Sequence, residues 1–95
     1  MICARATLTA GPLHERYARG TCVRAVVFAN VASADELQAH SFRNLAFKGW
    51  TRMRIDGVTS LANDHVFPQP RSPEAEAFRA ALESGLSIMV LGRVQ

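Results

Sequence analysis

The chain has 95 residues, of which 48% are hydrophobic and 20% are charged, and its formal net charge is +3. These values indicate one globular domain over residues 1–95 and exclude a disordered chain, and the positive charge favours acidic partners. No stretch approaches the ~18 uninterrupted apolar residues of a membrane-spanning helix, and Arg5 interrupts the first apolar residues before a secretory signal could form. We therefore expect a cytoplasmic protein without a membrane partner, in which Cys3 and Cys22 are free thiols.

Two strands are predicted in the first third of the chain. Apolar and polar residues alternate over Ile2–Ala10, which indicates a half-buried strand. The segment Thr21–Val31 is rich in β-branched and aromatic residues, which favour a second strand. If the two strands pair across the loop of residues 11–20, Thr9 lies opposite Cys22, and the register predicts no disulfide.

A helix and a third strand are predicted next. The helix starts at Ser33, whose hydroxyl can cap it while Glu36 reaches back to the Ser33 N–H. Gly49 can take the left-handed conformation that ends the helix. The period changes to two over Trp50–Thr59, which indicates a strand that follows the second strand by a right-handed parallel crossover. The helix residues expected to be buried are Ala34, Leu37, Phe42, Leu45 and Ala46.

The segment Leu61–Arg71 is predicted to be mostly irregular. Val66–Phe67 could form one short strand in it. Pro68 and Pro70 would confine that strand to an edge of the sheet, because proline cannot donate a hydrogen bond to a neighbouring strand.

A second helix and a last strand complete the chain. Ser72 is the predicted cap, Pro73 occupies the first helical position, and Gly85 ends the helix. Its predicted buried residues are Ala75, Phe78, Ala81 and Leu82. The apolar segment Leu86–Val94 then indicates a strand.

The predicted order is β-β-α-β-(short β)-α-β. Apart from its first strand, this order resembles the ferredoxin-like, split βαβ superfold. The resemblance implies an α+β, two-layer sandwich, with a mostly antiparallel sheet of four to five strands and both helices on one face. Such a superfold hosts many unrelated functions, so it does not indicate one.

Strand parity predicts an unusual composition for the face that the helices would leave open. Its apolar members would be Val26, Phe28, Trp50, Met89 and Leu91, and its arginines Arg5, Arg24, Arg52, Arg54 and Arg93. Asp56 would be its one carboxylate. Soluble monomers rarely expose such a patch, and arginine, methionine and aromatic residues are enriched at interfaces. The residues predicted to bind a partner are Trp50, Phe28, Arg52, Arg54, Arg24 and Met89.

Several interpretations of this face remain open. It could join two copies of the chain in a homodimer, or it could dock an acidic protein, as an adaptor or inhibitor of bacterial, phage or mobile-element origin. Alternatively, the loop of residues 11–20 could fold over the patch and hide it. The leading hypothesis is a non-catalytic interaction module.

A nucleic-acid interpretation comes from two short segments. Residues 48–55, Lys-Gly-Trp-Thr-Arg-Met-Arg-Ile, resemble a degenerate RNP1 motif, and residues 27–31 resemble RNP2 of the RNA-recognition motifs. The resemblance implies an RNA- or single-stranded-DNA-binding domain. However, RNP1 belongs on the third strand of that fold, whereas this segment directly follows the first helix.

The sequence predicts no catalytic residues, cofactor or metal site. Its histidines are scattered singly, and no serine or cysteine has the context of a nucleophile. The alternative is a small dimeric ferredoxin-like enzyme with a pocket near His65, Asp64, Trp50 and Arg52.

Overall fold

The computed structural model describes residues 1–33, 35–40 and 49–94 and contains one four-stranded sheet within them. Neighbouring strands are antiparallel, in the order β3-β1-β2-β4. The strands are β1 (Ile2–Ala10), β2 (Cys22–Ala29), β3 (Trp50–Ser60) and β4 (Leu86–Arg93). The helical segments are α1 (residues 35–40) and α2 (Pro73–Ser84). The α+β class and the positions of all four long strands are therefore as predicted.

The predicted register of the first hairpin is confirmed, because Thr9 pairs with Cys22. Both β2 and β3 run antiparallel to β1, so they are parallel to each other with β1 between them. The predicted short strand at Val66–Phe67 does not form. Phe67 instead packs its ring 5.3 Å from that of Phe78 in α2. Phe67 is thus partly buried against the core, whereas Val66 is exposed, and neither residue extends the sheet.

The first face of the sheet packs against α1. Leu37 is completely buried there, in a cluster with alternate residues of all four strands. The strand members of this cluster are Ile2, Ala4, Ala6, Leu8, Ala10, Val23, Ala25, Val27, Ala29, Trp50 and Leu86. The other helix residues predicted to be buried, Ala34, Phe42, Leu45 and Ala46, lie outside the described residues.

Both helices begin with the predicted caps. The Glu36 N–H donates to the Ser33 hydroxyl at 3.3 Å, and the Glu36 carboxylate accepts from the N–H of Ala32 rather than that of Ser33. In α2, the Ser72 hydroxyl accepts from the Ala75 N–H at 3.2 Å. Gly85 ends that helix with a φ of 92°, the left-handed conformation that glycine adopts at little cost.

The second face of the sheet packs against α2, which corrects the expectation that both helices share one face. Phe78 and Ala81 of α2 are buried against Phe28. Phe28 pairs with Cys3 of β1, and cross-strand partners lie on the same face. The alternation of side chains cannot show which face of the sheet α2 covers. Because β2 is apolar on both sides, either face can accept a helix. The ferredoxin-like arrangement of two helices on one side is therefore not the one observed.

Three β-bulges interrupt the alternation of side chains on the edge strands. The extra residues are Thr51 and Asp56 in β3 and Leu91 in β4. Each bulge shifts the parity of the residues beyond it by one position. As a result, Trp50 pairs with Ala10 and Arg93 pairs with Val23, both on the first face. The predicted placement of Trp50 and Arg93 on the open face was therefore wrong.

Candidate functional site

The half of the second face that α2 leaves open carries four exposed arginines. Cross-strand pairing aligns Arg54, Thr7 and Arg24 in one row. Arg5 lies two residues before Thr7 on β1 and therefore on the same face. We call this surface the arginine face and define it by Arg5, Thr7, Thr9, Arg24, Arg52, Arg54 and Asp56.

Three side chains at the centre of the arginine face form a closed hydrogen-bond network. The Thr7 hydroxyl donates to Oδ2 of Asp56 at 2.9 Å, and Nε of Arg54 donates to Oδ1 at 2.9 Å. Nη2 of Arg54 also donates to the Thr7 hydroxyl at 3.3 Å. These bonds orient the Arg54 guanidinium although 73% of its side chain is exposed.

The network lowers the pKa of Asp56 below its ordinary value. The Thr7 hydrogen bond is the largest cause, followed by the Arg54 hydrogen bond, and the positive charges of Arg54 and Arg5 act in the same direction. All of them favour the charged carboxylate. Asp56 is consequently an anion throughout the neutral range, and it partly neutralises one side of the face.

The bulge in β3 explains how Asp56 reaches this position. Asp56 is the extra residue between Ile55, which pairs with Ala6, and Gly57, which pairs with Arg5. A Cβ atom at Gly57 would lie 2.8 Å from Nη2 of Arg5, so any other residue here would make that flexible guanidinium shift its position.

Within residues 1–33, 35–40 and 49–94, Arg54–Asp56 is the only ion pair. Arg5, Arg24 and Arg52 thus have no carboxylate within 4.0 Å among those residues. The arginine face therefore keeps an excess of positive charge that the described part of the chain does not neutralise.

A depression of about 550 Å³ crosses the arginine face. Its charged lining comes from Arg5, Arg24, Arg54 and Asp56, and its apolar lining includes Leu91 and Val94 near the end of β4. The volume lies within the range of roughly 300–1,000 Å³ that is typical of small-ligand pockets.

Of the six residues predicted to bind a partner, the structure brings together Arg24, Arg52 and Arg54 on the exposed face. Met89 is half-buried on β4, where it pairs with Val26. Phe28 is only 2% exposed, because Phe78 of α2 lies over it with ring centroids 6.2 Å apart. The apolar patch that was predicted to bind a partner is covered at this end by the chain's own second helix.

Trp50, the sixth of these residues, is 7% exposed and lies under the loop of residues 11–20. The ring centroids of His14 and Tyr17 lie 4.3 and 5.8 Å from the Trp50 ring. Nδ1 of His14 accepts the backbone N–H groups of Arg16 and Tyr17, each at 3.1 Å, which fixes the ring. The loop therefore does cover Trp50, although it does so on the first face, and His14 is a packing residue.

His65 and Asp64, the residues of the alternative enzyme site, are both exposed. The His65 ring packs 4.7 Å from Phe67, near the Met1 end of β1, where Leu61 donates to the Met1 carbonyl. Trp50 lies at the other end of the nine-residue β1. At roughly 3.3 Å per residue, the two ends are about 25–30 Å apart. The pocket that would join His65 to Trp50 is therefore not formed, and the described residues hold no cluster able to bind a metal.

Sequence reasoning missed the three bulges that shape the site. Two had a usable signal, because an isolated glycine within a strand pattern indicates a bulge, and Gly57 and Gly92 each lie next to one. The bulge at Thr51 had no such signal. Cys3 pairs with Phe28 at the end of the second face that α2 covers; it is half-buried, and burial raises its pKa, which makes it a weak nucleophile.

No helix in the described part of the chain is long and apolar enough to cross a membrane. Comparison with protein-family models, curated proteins and solved structures finds no match to this chain. The functional interpretation therefore depends on the arginine face and on the chemistry of its side chains.

Proposed function

We propose that this chain is a small non-catalytic docking module whose arginine face binds an acidic partner protein. The observation that carries the proposal is the set of four exposed arginines, opposed by one aspartate, on the half of the second face that α2 leaves uncovered. Positive surfaces attract and orient negative ones, and arginine is enriched among residues that dominate binding energy. Cys3 pairs with Phe28 and Cys22 pairs with Thr9, and both are free thiols. Free thiols are typical of proteins in a reducing cytosol.

The charge balance supports a partner protein over a second copy of the chain. Packing two arginine faces together would bring eight guanidinium groups near two carboxylates, and like charges in an interface oppose association. A protein surface rich in aspartate and glutamate would instead supply carboxylates to Arg5, Arg24 and Arg52. Arginine can bind each carboxylate through two parallel hydrogen bonds.

The absence of aromatic side chains from the arginine face supports a protein over a nucleic acid. Single-stranded nucleic acids bind to platforms on which bases stack against aromatic rings. The aromatic residues predicted for that role, Phe28 and Trp50, are buried, and Lys48 of the RNP1-like segment lies outside the described residues. Without stacking, the described part of this face could contact only phosphates.

Binding of a synthetic oligoglutamate tests the proposal. Chemical-shift mapping should locate the peptide at Thr7, Arg24 and Arg54. The affinity, measured by isothermal titration, should fall as salt screens the charges. The Arg24→Glu variant should bind at least about tenfold more weakly. The matched control is Arg71→Glu, which changes the net charge equally at an exposed site in the segment before α2.

Three outcomes would overturn the proposal. Equal losses in both variants would mean that only net charge matters. A dimer in light scattering that Arg24→Glu dissociates would assign the face to self-association. Single-stranded RNA that binds more tightly than oligoglutamate, and that shifts the same resonances, would assign it to nucleic acid.

A further inference from the structure

The depression on the arginine face has two chemically different sides. Its basic side consists of Arg5, Arg24 and Arg54, which lie on β1, β2 and β3. Its apolar side is formed by Leu91, which is 60% exposed, and Val94, which is 39% exposed. Uniformly acidic ligands would satisfy only the first side and would leave the second in contact with water.

The bulge in β4 places an apolar side chain beside Arg24. Arg24 pairs with Gly92 and Ala25 pairs with Val90, so Leu91 is the unpaired extra residue between them. A bulge redirects the side chain of its extra residue. A Cβ atom at Gly92 would meet nothing within 4 Å, so the space next to Arg24 on β4 is open. An occupant can therefore reach Arg24 and Leu91 at the same time.

The same bulges argue against strand addition at the edges of the sheet. Strand addition needs a regular row of free N–H and C=O groups along an edge. The edge strands β3 and β4 carry all three bulges, which interrupt that row. The face of the sheet, rather than its edge, is the surface that suits a peptide here.

We propose that the depression recognises an extended segment of the partner in which an acidic residue and a large apolar residue are two positions apart. This inference rests on the proposed docking function. Residues i and i+2 of an extended chain point to the same side at a separation of roughly 6–7 Å. The carboxylate binds Arg24, with Arg5 beside it, and the apolar side chain packs against Leu91 and Val94.

Three synthetic peptides of equal length and net charge test this inference. One carries repeated Glu-Thr-Leu units, one replaces each leucine with serine, and one keeps the first composition but separates the leucines from the glutamates in the sequence. The first peptide should bind about tenfold more tightly than the other two, because burial of one large apolar side chain commonly contributes about that much to affinity. In methyl NMR spectra, Leu91 and Val94 should shift only with the first peptide.

The Leu91→Ser variant separates the apolar contribution from the charge. It should lower the affinity for the first peptide by about fivefold to tenfold and leave the serine peptide unchanged. Leu13→Ser is the matched control, since Leu13 is 88% exposed in the loop of residues 11–20 and does not line the depression.

The two proposals can fail separately in this experiment. If all three peptides bind equally and Arg24→Glu weakens each of them, the apolar side has no role and this inference is wrong, while the docking function stands. If none of the peptides binds, or if Arg24→Glu has no effect on any of them, both proposals are overturned.

Discussion

The imidazole of His14 lies 4.3 Å from the indole of Trp50 and holds the loop of residues 11–20 against the first face of the sheet. The loop is anchored nearby by the N–H of Gly11, which donates to the Gly49 carbonyl at 2.8 Å. Gly49 has a φ of 92°, and a Cβ atom there would lie 2.9 Å from Cα of His14. The close approach of loop and strand therefore requires glycine at this position.

The His14→Ala variant should loosen this loop. Loss of the ring contacts with Trp50 and Tyr17 is expected to lower the free energy of unfolding by about 0.5–1.5 kcal/mol. Trp50 is the single tryptophan of the chain, so its fluorescence should shift to longer wavelength as water reaches the indole. Leu13→Ala, at an 88% exposed position of the same loop, is the control and should change neither quantity. An unshifted emission spectrum in His14→Ala would show that the loop does not shield Trp50.

Replacing Trp50 with alanine should destabilise the fold rather than weaken partner binding directly. Removing a buried tryptophan commonly costs about 3–5 kcal/mol of unfolding free energy, which is a large part of the stability of a small domain. Chemical denaturation measures this loss, and oligoglutamate affinity per folded molecule should stay within about twofold of that of the unchanged protein. A stable Trp50→Ala protein that no longer binds would instead restore Trp50 as a docking residue.

The Phe78→Ala variant tests the position of α2 on the second face. Phe78 is 3% exposed and contacts Phe28 and Phe67, so its truncation should lower the unfolding free energy by about 3–5 kcal/mol. The milder Phe78→Leu should cost less and remain folded at room temperature. Leu82→Ala, at a 36% exposed position on the same helix, should have a smaller effect than Phe78→Ala. Equal effects at Phe78 and Leu82 would contradict the packing of α2 against Phe28.

The titration of Asp56 should report the network on the arginine face. Because its folded pKa is lowered, the contribution of Asp56 to stability is complete above its unfolded pKa and is lost as the pH falls through the folded value. Carbon-detected NMR of the carboxylate should place the folded pKa below 3.8, the ordinary value.

Variants of its two partners identify the cause of that shift. Thr7→Val and Arg54→Met each remove a hydrogen bond to Asp56, so each should raise its pKa towards the ordinary value. Thr59→Val, on the same strand as Asp56 but without a bond to it, should leave the titration unchanged. A pKa of Asp56 that is insensitive to both Thr7 and Arg54 would contradict the network.

The origin of the arginine face illustrates what a sequence can predict. The alternation in β1 and β2 correctly assigned Arg5, Thr7 and Arg24 to one face, and the caps at Ser33 and Ser72 were found from residue type alone. These features depend on neighbours within a few residues. The placement of Trp50 failed because one extra residue, Thr51, reverses the alternation, and nothing in its local chemistry distinguishes it from a regular strand residue.

The sequence by itself determined the extents of the strands, the limits of α2 and the concentration of arginine on one side of the sheet. The alternation of side chains along a strand and the capping of a helix both depend on residues close in the sequence. Only the tertiary structure decided that α2 covers Phe28 and that the loop of residues 11–20 covers Trp50. Both faces of β2 are apolar, so burial is favourable with a helix on either side, and only the packing of distant segments selects between them. That selection buried Phe28, the bulge at Thr51 placed Trp50 under the loop, and the arginines stayed exposed.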